Sequence, residues 1–434
     1  MINKTILKNK LRIITIPMKN AKTTSVLVLV GAGSKYETKS NNGISHFLEH
    51  MFFKGTKKRS NTLKISETLD RIGGKYNAFT GKEYTGYWAK VSSDYFDTAL
   101  DWVSDILLNS QIKEQEINKE RGVIIEEMNM YLDTPMIYID DLWEQLLYGN
   151  QPAGWLIIGE KKNILKFKRK DFLNCLKQHY TAENTIICVA GNINKNSVEN
   201  KIKKYFKNIN TAIPEQKIKT IDAPINSIQN FNSIKQTKPE CLIHFKKTDQ
   251  THLTLGFRGY DLFSDKKYAQ TMLATILGGF MSSRLFISVR EKNGLAYRIK
   301  TLSESSTDTG YLATFAGIRN DKVEKAIELI LKEYKIIKNK KISKQELEKT
   351  KNYLKGSLAL SLESSDSMAF FHSTQELLTQ KILTQKQINQ KIDTITQQDI
   401  LQTAKNIFIR ENLNLALIGP FKDKTKFKKI IEKF

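Results

Sequence analysis

Residues 44–56 read ISHFLEHMFFKGT. Two of the chain's six histidines fall here, His46 and His50, with Glu49 directly before the second. On an α-helix positions i and i+4 share a face, so both imidazoles can turn one nitrogen toward a single ion. Zn2+ is the natural guest for imidazole and carboxylate ligands in near-tetrahedral geometry. Glu49 follows His46 by three residues and borders the same face, where it can reach a water beside the metal without ligating the ion. A catalytic zinc polarises a scissile carbonyl and acidifies water, and a neighbouring carboxylate moves the proton. HxxEH is the inverted relative of HExxH, and both set the base beside a histidine ligand. Two ordinary histidines on an amphipathic helix are the alternative, and a pair framing a carboxylate disfavours it.

A third protein ligand is required. The other histidines, His179, His244, His252 and His372, are isolated in sequence. Residues 118–135, NKERGVIIEEMNMYLDTP, offer Glu120, Glu126 and Glu127 on a helical pattern. Glu127 shares a stripe with Ile124, Met128 and Tyr131, Glu120 lies two turns earlier on that face, and Glu126 points about 100° away. Most helical glutamates are solvated, so periodicity alone leaves the ligand undecided.

The chain has 434 residues, more than one hydrophobic core usually serves. The composition is that of a soluble globular chain, and no apolar run approaches the ~18–20 residues of a membrane span. The opening MINKTILKNKLRIITIPM lacks the apolar core and cleavage site of a secretory signal. Cys175, Cys188 and Cys241 form no CxxC, so neither a disulfide framework nor a cysteine zinc site is expected, and a reducing, cytoplasmic setting is. The formal net charge of +24 comes from lysines spread along the whole chain, without an Arg-rich arm or an aromatic-basic platform. A compositional bias accounts for it, and nucleic acid is not an expected partner.

Strand patterns cover 11–18 and 24–31, helical ones 43–53 and 62–72, and KYNAFTGKEYTGYWAKV reads as a hairpin turning near Gly81-Lys82. Helical patterns follow at 94–109 and 114–148, the latter broken at Pro135, then a helix at 170–179, a buried strand in NTIICVAGNI and a basic helix to about 207. Residues 212–238 lose periodicity and carry Pro214 and Pro224, which predicts a linker between a domain at 1–211 and one at 239–434. Beyond it strands at 241–247 and 252–258, helices at 266–276 and 283–291, strands at 296–303 and 310–317, long helices and a last strand NLNLALIG repeat the same order. One α+β plan used twice is the expectation, on architecture rather than on sequence identity.

HFLEH with VIIEEM downstream resembles the inverted-motif zinc peptidases of the pitrilysin, insulinase and mitochondrial processing peptidase family. The resemblance extends through GAGSKYET, MFFKGT, GGKYNAFTGKEYTGYW, EEMNMYLDTP, HYTAENTIICVAGNI and LGGFMSSRLFISVREKNGLAY. It covers nearly the whole chain, and the length fits the short bacterial or processing-peptidase branch. The resemblance implies a fold of two similar α+β domains, each a mixed sheet packed with helices, facing each other across a chamber. It implies Glu127 as the third zinc ligand beside His46 and His50, Glu49 as general base, and Glu120 as a supporting residue behind the ligands.

It further implies that Asn77, Ala78 and Phe79 lie on an edge strand that takes extended peptide by strand addition, and that Arg290 and Tyr297 of REKNGLAY reach substrate, Tyr297 as a donor to the oxyanion. Where the zinc helix should recur, the second half has ATILGGFM without a ligand, so one Zn2+ per chain is expected and the second domain contributes contacts only. The implied activity is a zinc metalloendopeptidase acting on peptides or unstructured, presequence-like segments, as a homodimer or as a heterodimer with a related subunit. The rival is a non-catalytic subunit that binds peptides or assembles with an active partner, but such relatives carry broken motifs and this one is intact.

Overall fold

The computed structural model describes residues 2–211 and 236–434. It resolves into two similar mixed α+β domains. The first contains a six-stranded sheet built from β1 (Asn3–Ile6), β2 (Arg12–Pro17), β3 (Thr23–Val30), β4 (Lys75–Thr80), β5 (Thr85–Ser92) and β6 (Thr185–Gly191). The order is β1-β2-β6-β3-β5-β4, antiparallel except for β2 beside β6. The second contains β7 (Glu240–Phe245), β8 (Gln250–Arg258), β9 (Ala296–Ser305), β10 (Gly310–Arg319) and β11 (Asn414–Gly419) in the order β7-β11-β8-β10-β9. Here β7 and β11 are the parallel pair. Omitting β1, the two orders are the same: a late-arriving strand lies parallel to the first, and a hairpin closes the far edge.

The central strands are apolar on both faces because both faces are covered. In β3, Val26, Val28 and Val30 alternate with Leu27 and Leu29, and all five are buried. Helix Phe96–Asn109 packs against β3 and β5. The leucine face joins Ile14, Ile16, Ile186 and Cys188 beneath helix Ser365–Thr379, which supplies Ala369 and Leu377. In the second sheet, Ala313, Phe315, Ala416 and Ile418 are covered by Ile139, Leu142, Trp143 and Leu147 of helix Pro135–Tyr148.

The compact units are therefore not contiguous in sequence. The first comprises residues 2–129, 155–211 and 359–383, the second 130–154, 236–358 and 384–434. This departs from the expected split into 1–211 and 239–434, because each half of the chain lends one helix to the sheet built mainly by the other. An apolar helix face specifies that it must be buried, not which sheet buries it. Most of the expected linker, residues 212–235, lies outside the described residues. The break at Pro135 appears as expected, with Pro135 opening its helix where no amide donor is needed. Strand β1 and the last helix, Thr425–Ile431, carried too little pattern to be expected. All three cysteines are free and buried, and no helix among the described residues is long and apolar enough to cross a membrane.

Candidate metal centre

Helix Ile44–Met51 sorts its residues by period. Ile44, Phe47, Leu48 and Met51 form the buried stripe, with Phe47 edge-on to Phe172 at 4.9 Å. His46, Glu49 and His50 therefore face the other way. The helix starts at Gly43, whose φ of +101° is left-handed and whose Cα faces Ile158 O, so that a Cβ would lie 2.8 Å from that oxygen. Glu37 caps this start. Its carboxylate accepts from the Gly43 and Ser45 amides, both at 2.8 Å, and from Asn42 Nδ2 at 3.0 Å. A buried anion at a helix N-terminus satisfies orphan amides and complements the macrodipole.

On helix Glu114–Asp133 the buried stripe runs through Ile117, Glu120 and Ile124, and Glu127 continues it one turn on. Glu127 Oε2 lies 3.6 Å from His46 Nε2 and 3.5 Å from His50 Nε2. These separations are long for hydrogen bonds, and this buried oxygen has no hydrogen-bond partner among the described residues. Ligands bonded at about 2.1 Å to one tetrahedral metal sit about 3.4 Å apart. The cluster therefore fits an ion at its centre, and His46, His50 and Glu127 form a group that could hold a metal. Glu126 is exposed and accepts from Asn129 Nδ2 at 3.5 Å; it is not a member of the cluster.

Behind the cluster, His50 Nδ1 lies 2.9 Å from Glu120 Oε1, and Lys54 Nζ is 2.6 Å from Glu120 Oε2. Burial works against a charge on Glu120, yet its bonds to His50 and Lys54 prevail and hold its pKa below the ordinary value. Ionised, Glu120 can only accept, so His50 Nδ1 donates to it, and Nε2 is the nitrogen turned toward Glu127 and the cluster. Burial likewise opposes a charged His50, but Glu120 and Glu127 outweigh it and raise its pKa to about 9. Glu127 is held far below the carboxylate range, burial again being overcome by the two histidines. The field of the pocket favours a cation.

Glu49 precedes His50 on the same helix, and its Oε2 accepts from Thr80 Oγ1 at 2.5 Å. Thr80 ends β4, which pairs with β5 on one side only and forms the edge of its sheet. Asn77, Ala78 and Phe79 lie on that edge, with Asn77 Oδ1 accepting from the Ala78 amide at 2.9 Å. Arg290 and Tyr297 belong to the second domain. There Arg290 Nη1 donates to the Tyr297 carbonyl at 2.5 Å, its guanidinium lies 5.0 Å from the Tyr297 ring, and Tyr297 is 79% exposed. At the place equivalent to the metal helix, the second domain has helix Lys267–Gly278, KYAQTMLATILG, which has no metal-binding side chain.

Residues 12–158 match the family described as Insulinase (Peptidase family M16), and residues 166–354 match the Peptidase M16 inactive domain. The chain is 36% identical over 420 residues to a Bacillus subtilis protein named as an uncharacterized zinc protease, covering 97% of this chain and 98% of that one. The chain belongs to peptidase family M16. Another M16 relative, also named as an uncharacterized zinc protease, comes from Rickettsia felis, with 34% identity over 95% of this chain and 96% of its own. The M16 fold is shared with the crystal structure of a protease from Helicobacter pylori, at a TM-score of 0.88 and 24% identity, covering 97% of this chain and 99% of that chain. Three residues of this M16 site were not singled out in the sequence: Glu37, Lys54 and Thr80. An acid shortly before a helix start was a signal for Glu37; nothing local marks the other two.

Proposed function

We propose that this chain is a zinc-dependent endopeptidase that hydrolyses peptides or unstructured polypeptide segments. The observation that carries the proposal is the convergence of His46, His50 and Glu127 around one point, with Glu49 on the helix that carries both histidines. These three residues would hold zinc, which supplies a Lewis acid for the scissile carbonyl and acidifies a water. Glu49 is the base: it takes the proton from the attacking water and delivers it to the leaving amine. Glu120, backed by Lys54, keeps His50 in the ligating tautomer.

The open edge of β4 is the seat for substrate. Gly81 N donates to Tyr84 O at 2.8 Å, which sets the phase of the hairpin and turns the Ala78 amide outward, away from β5. An extended peptide adds there by main-chain hydrogen bonds, displacing the Asn77 side chain from the Ala78 amide. That mode excludes folded segments, whose amides are already paired. Arg290 and Tyr297 enter by their motif, with the exposed Tyr297 hydroxyl as an oxyanion donor.

The test is digestion of a mixed peptide library by the full chain, with and without a zinc chelator. Internal cleavage that is abolished by the chelator and restored by zinc is expected. Absence of cleavage, with retained peptide binding, would instead support a non-catalytic subunit.

A further inference from the structure

We propose that Thr80 is a positioning residue for Glu49: its hydroxyl holds one carboxylate oxygen so that the other is presented for proton transfer. This rests on the reading of Glu49 as the base. A glutamate has three side-chain torsions, the last of them broad, so a helix alone does not aim its carboxylate. Thr80 Oγ1 donates to Glu49 Oε2, and because the carboxyl group is planar, tying down one oxygen restricts where the other can point.

The donor is itself held. Strand alternation turns Phe79 toward Phe370, 5.5 Å away, and leaves Thr80 on the opposite face, with Glu49. The turn after Thr80 is fastened to the segment leading into the metal helix: Ser34 N donates to Gly81 O at 3.3 Å and Lys35 N to Lys82 O at 2.9 Å. Gly33 permits this approach, since a Cβ there would lie 2.5 Å from Gly81 O. Lys35 and Glu83 add a buried ion pair at 2.8 Å. Two residues beyond Lys35, Glu37 caps the metal helix. Residues 33–37 thus fix the hairpin and the helix against one another, and the Thr80–Glu49 separation follows. The same strand that registers the peptide aims the base.

The experiment compares wild type, Thr80→Val and Thr80→Ser as zinc-loaded full chains. Thr80→Val is expected to lower kcat about tenfold while KM and zinc affinity stay within about twofold, and Thr80→Ser to recover most of the loss. Crystal structures of the same three proteins give a readout independent of turnover: one Glu49 orientation in wild type and Thr80→Ser, a different or divided one in Thr80→Val. Wild-type kcat in Thr80→Val, or an unmoved Glu49 carboxylate, overturns the proposal; so does a kcat loss matched by lost zinc affinity or thermal stability. If wild type cleaves no peptide, the endopeptidase reading fails, and the crystal structures still decide the role of Thr80.

Discussion

Glu120 accepts a hydrogen bond from His50 Nδ1 at 2.9 Å while Lys54 binds its other oxygen at 2.6 Å. The lysine keeps the carboxylate ionised and the carboxylate keeps the histidine in one tautomer. Glu120→Gln and Lys54→Met are both expected to weaken zinc binding, Glu120→Gln by about 10–100-fold and Lys54→Met by less. Competition against a chromogenic chelator measures both; unchanged affinity in Glu120→Gln would remove this role.

Glu37 accepts hydrogen bonds from two amides at the start of the metal helix and from Asn42. Glu37→Ala leaves these buried donors unmatched, at a cost of about 2 kcal/mol. Calorimetry is expected to show the transition of the first domain lowered by roughly 4–8 °C, with that of the second unmoved.

His372 lies on the helix over the first sheet and is 2% exposed. Burial lowers its pKa to about 4. Above about pH 6.5 the residue is neutral in both folded and unfolded chains and contributes nothing. Between about 6.5 and 4 the unfolded chain binds a proton that the folded one resists, so stability falls as pH falls, by about 2 kcal/mol at pH 5. Thermal unfolding at pH 7 and pH 5 is expected to show a larger drop in wild type than in His372→Leu; equal drops would exclude His372 as the cause.

Tyr297 is largely exposed, so Tyr297→Phe removes a hydroxyl without disturbing a core. If that hydroxyl stabilises the oxyanion, kcat falls by about 10–1000-fold with an unchanged melting temperature. Steady-state kinetics on a peptide cleaved by wild type decides it, and an unaltered kcat would take Tyr297 out of the reaction.

The metal helix was legible because its two periods agree: Ile44, Phe47, Leu48 and Met51 are apolar at helical spacing, and His46, Glu49 and His50 occupy what remains. The repeated plan was legible from element order, and the hairpin from its turn. Helical periodicity offers Glu120, Glu126 and Glu127 alike and only the family resemblance selects Glu127; in the structure Glu126, one position earlier, is exposed and lies outside the cluster. Thr80 and Lys54 act on partners 31 and 66 residues away, and no local pattern encodes such a meeting. The exchanged helices were invisible for the same reason. Ser25 and Ser365 share a hydrogen bond at 2.8 Å across 340 residues, whereas an amphipathic stripe announces only that it needs a partner.

The most direct measurement is zinc content and turnover of Glu49→Gln beside wild type. Glutamine keeps the size of the side chain and removes the base. One zinc per chain in both proteins, with turnover in Glu49→Gln reduced at least a hundredfold, is the expected result. A Glu49→Gln protein that carries zinc and cleaves at the wild-type rate would contradict the assignment of Glu49, and with it the mechanism proposed for this site.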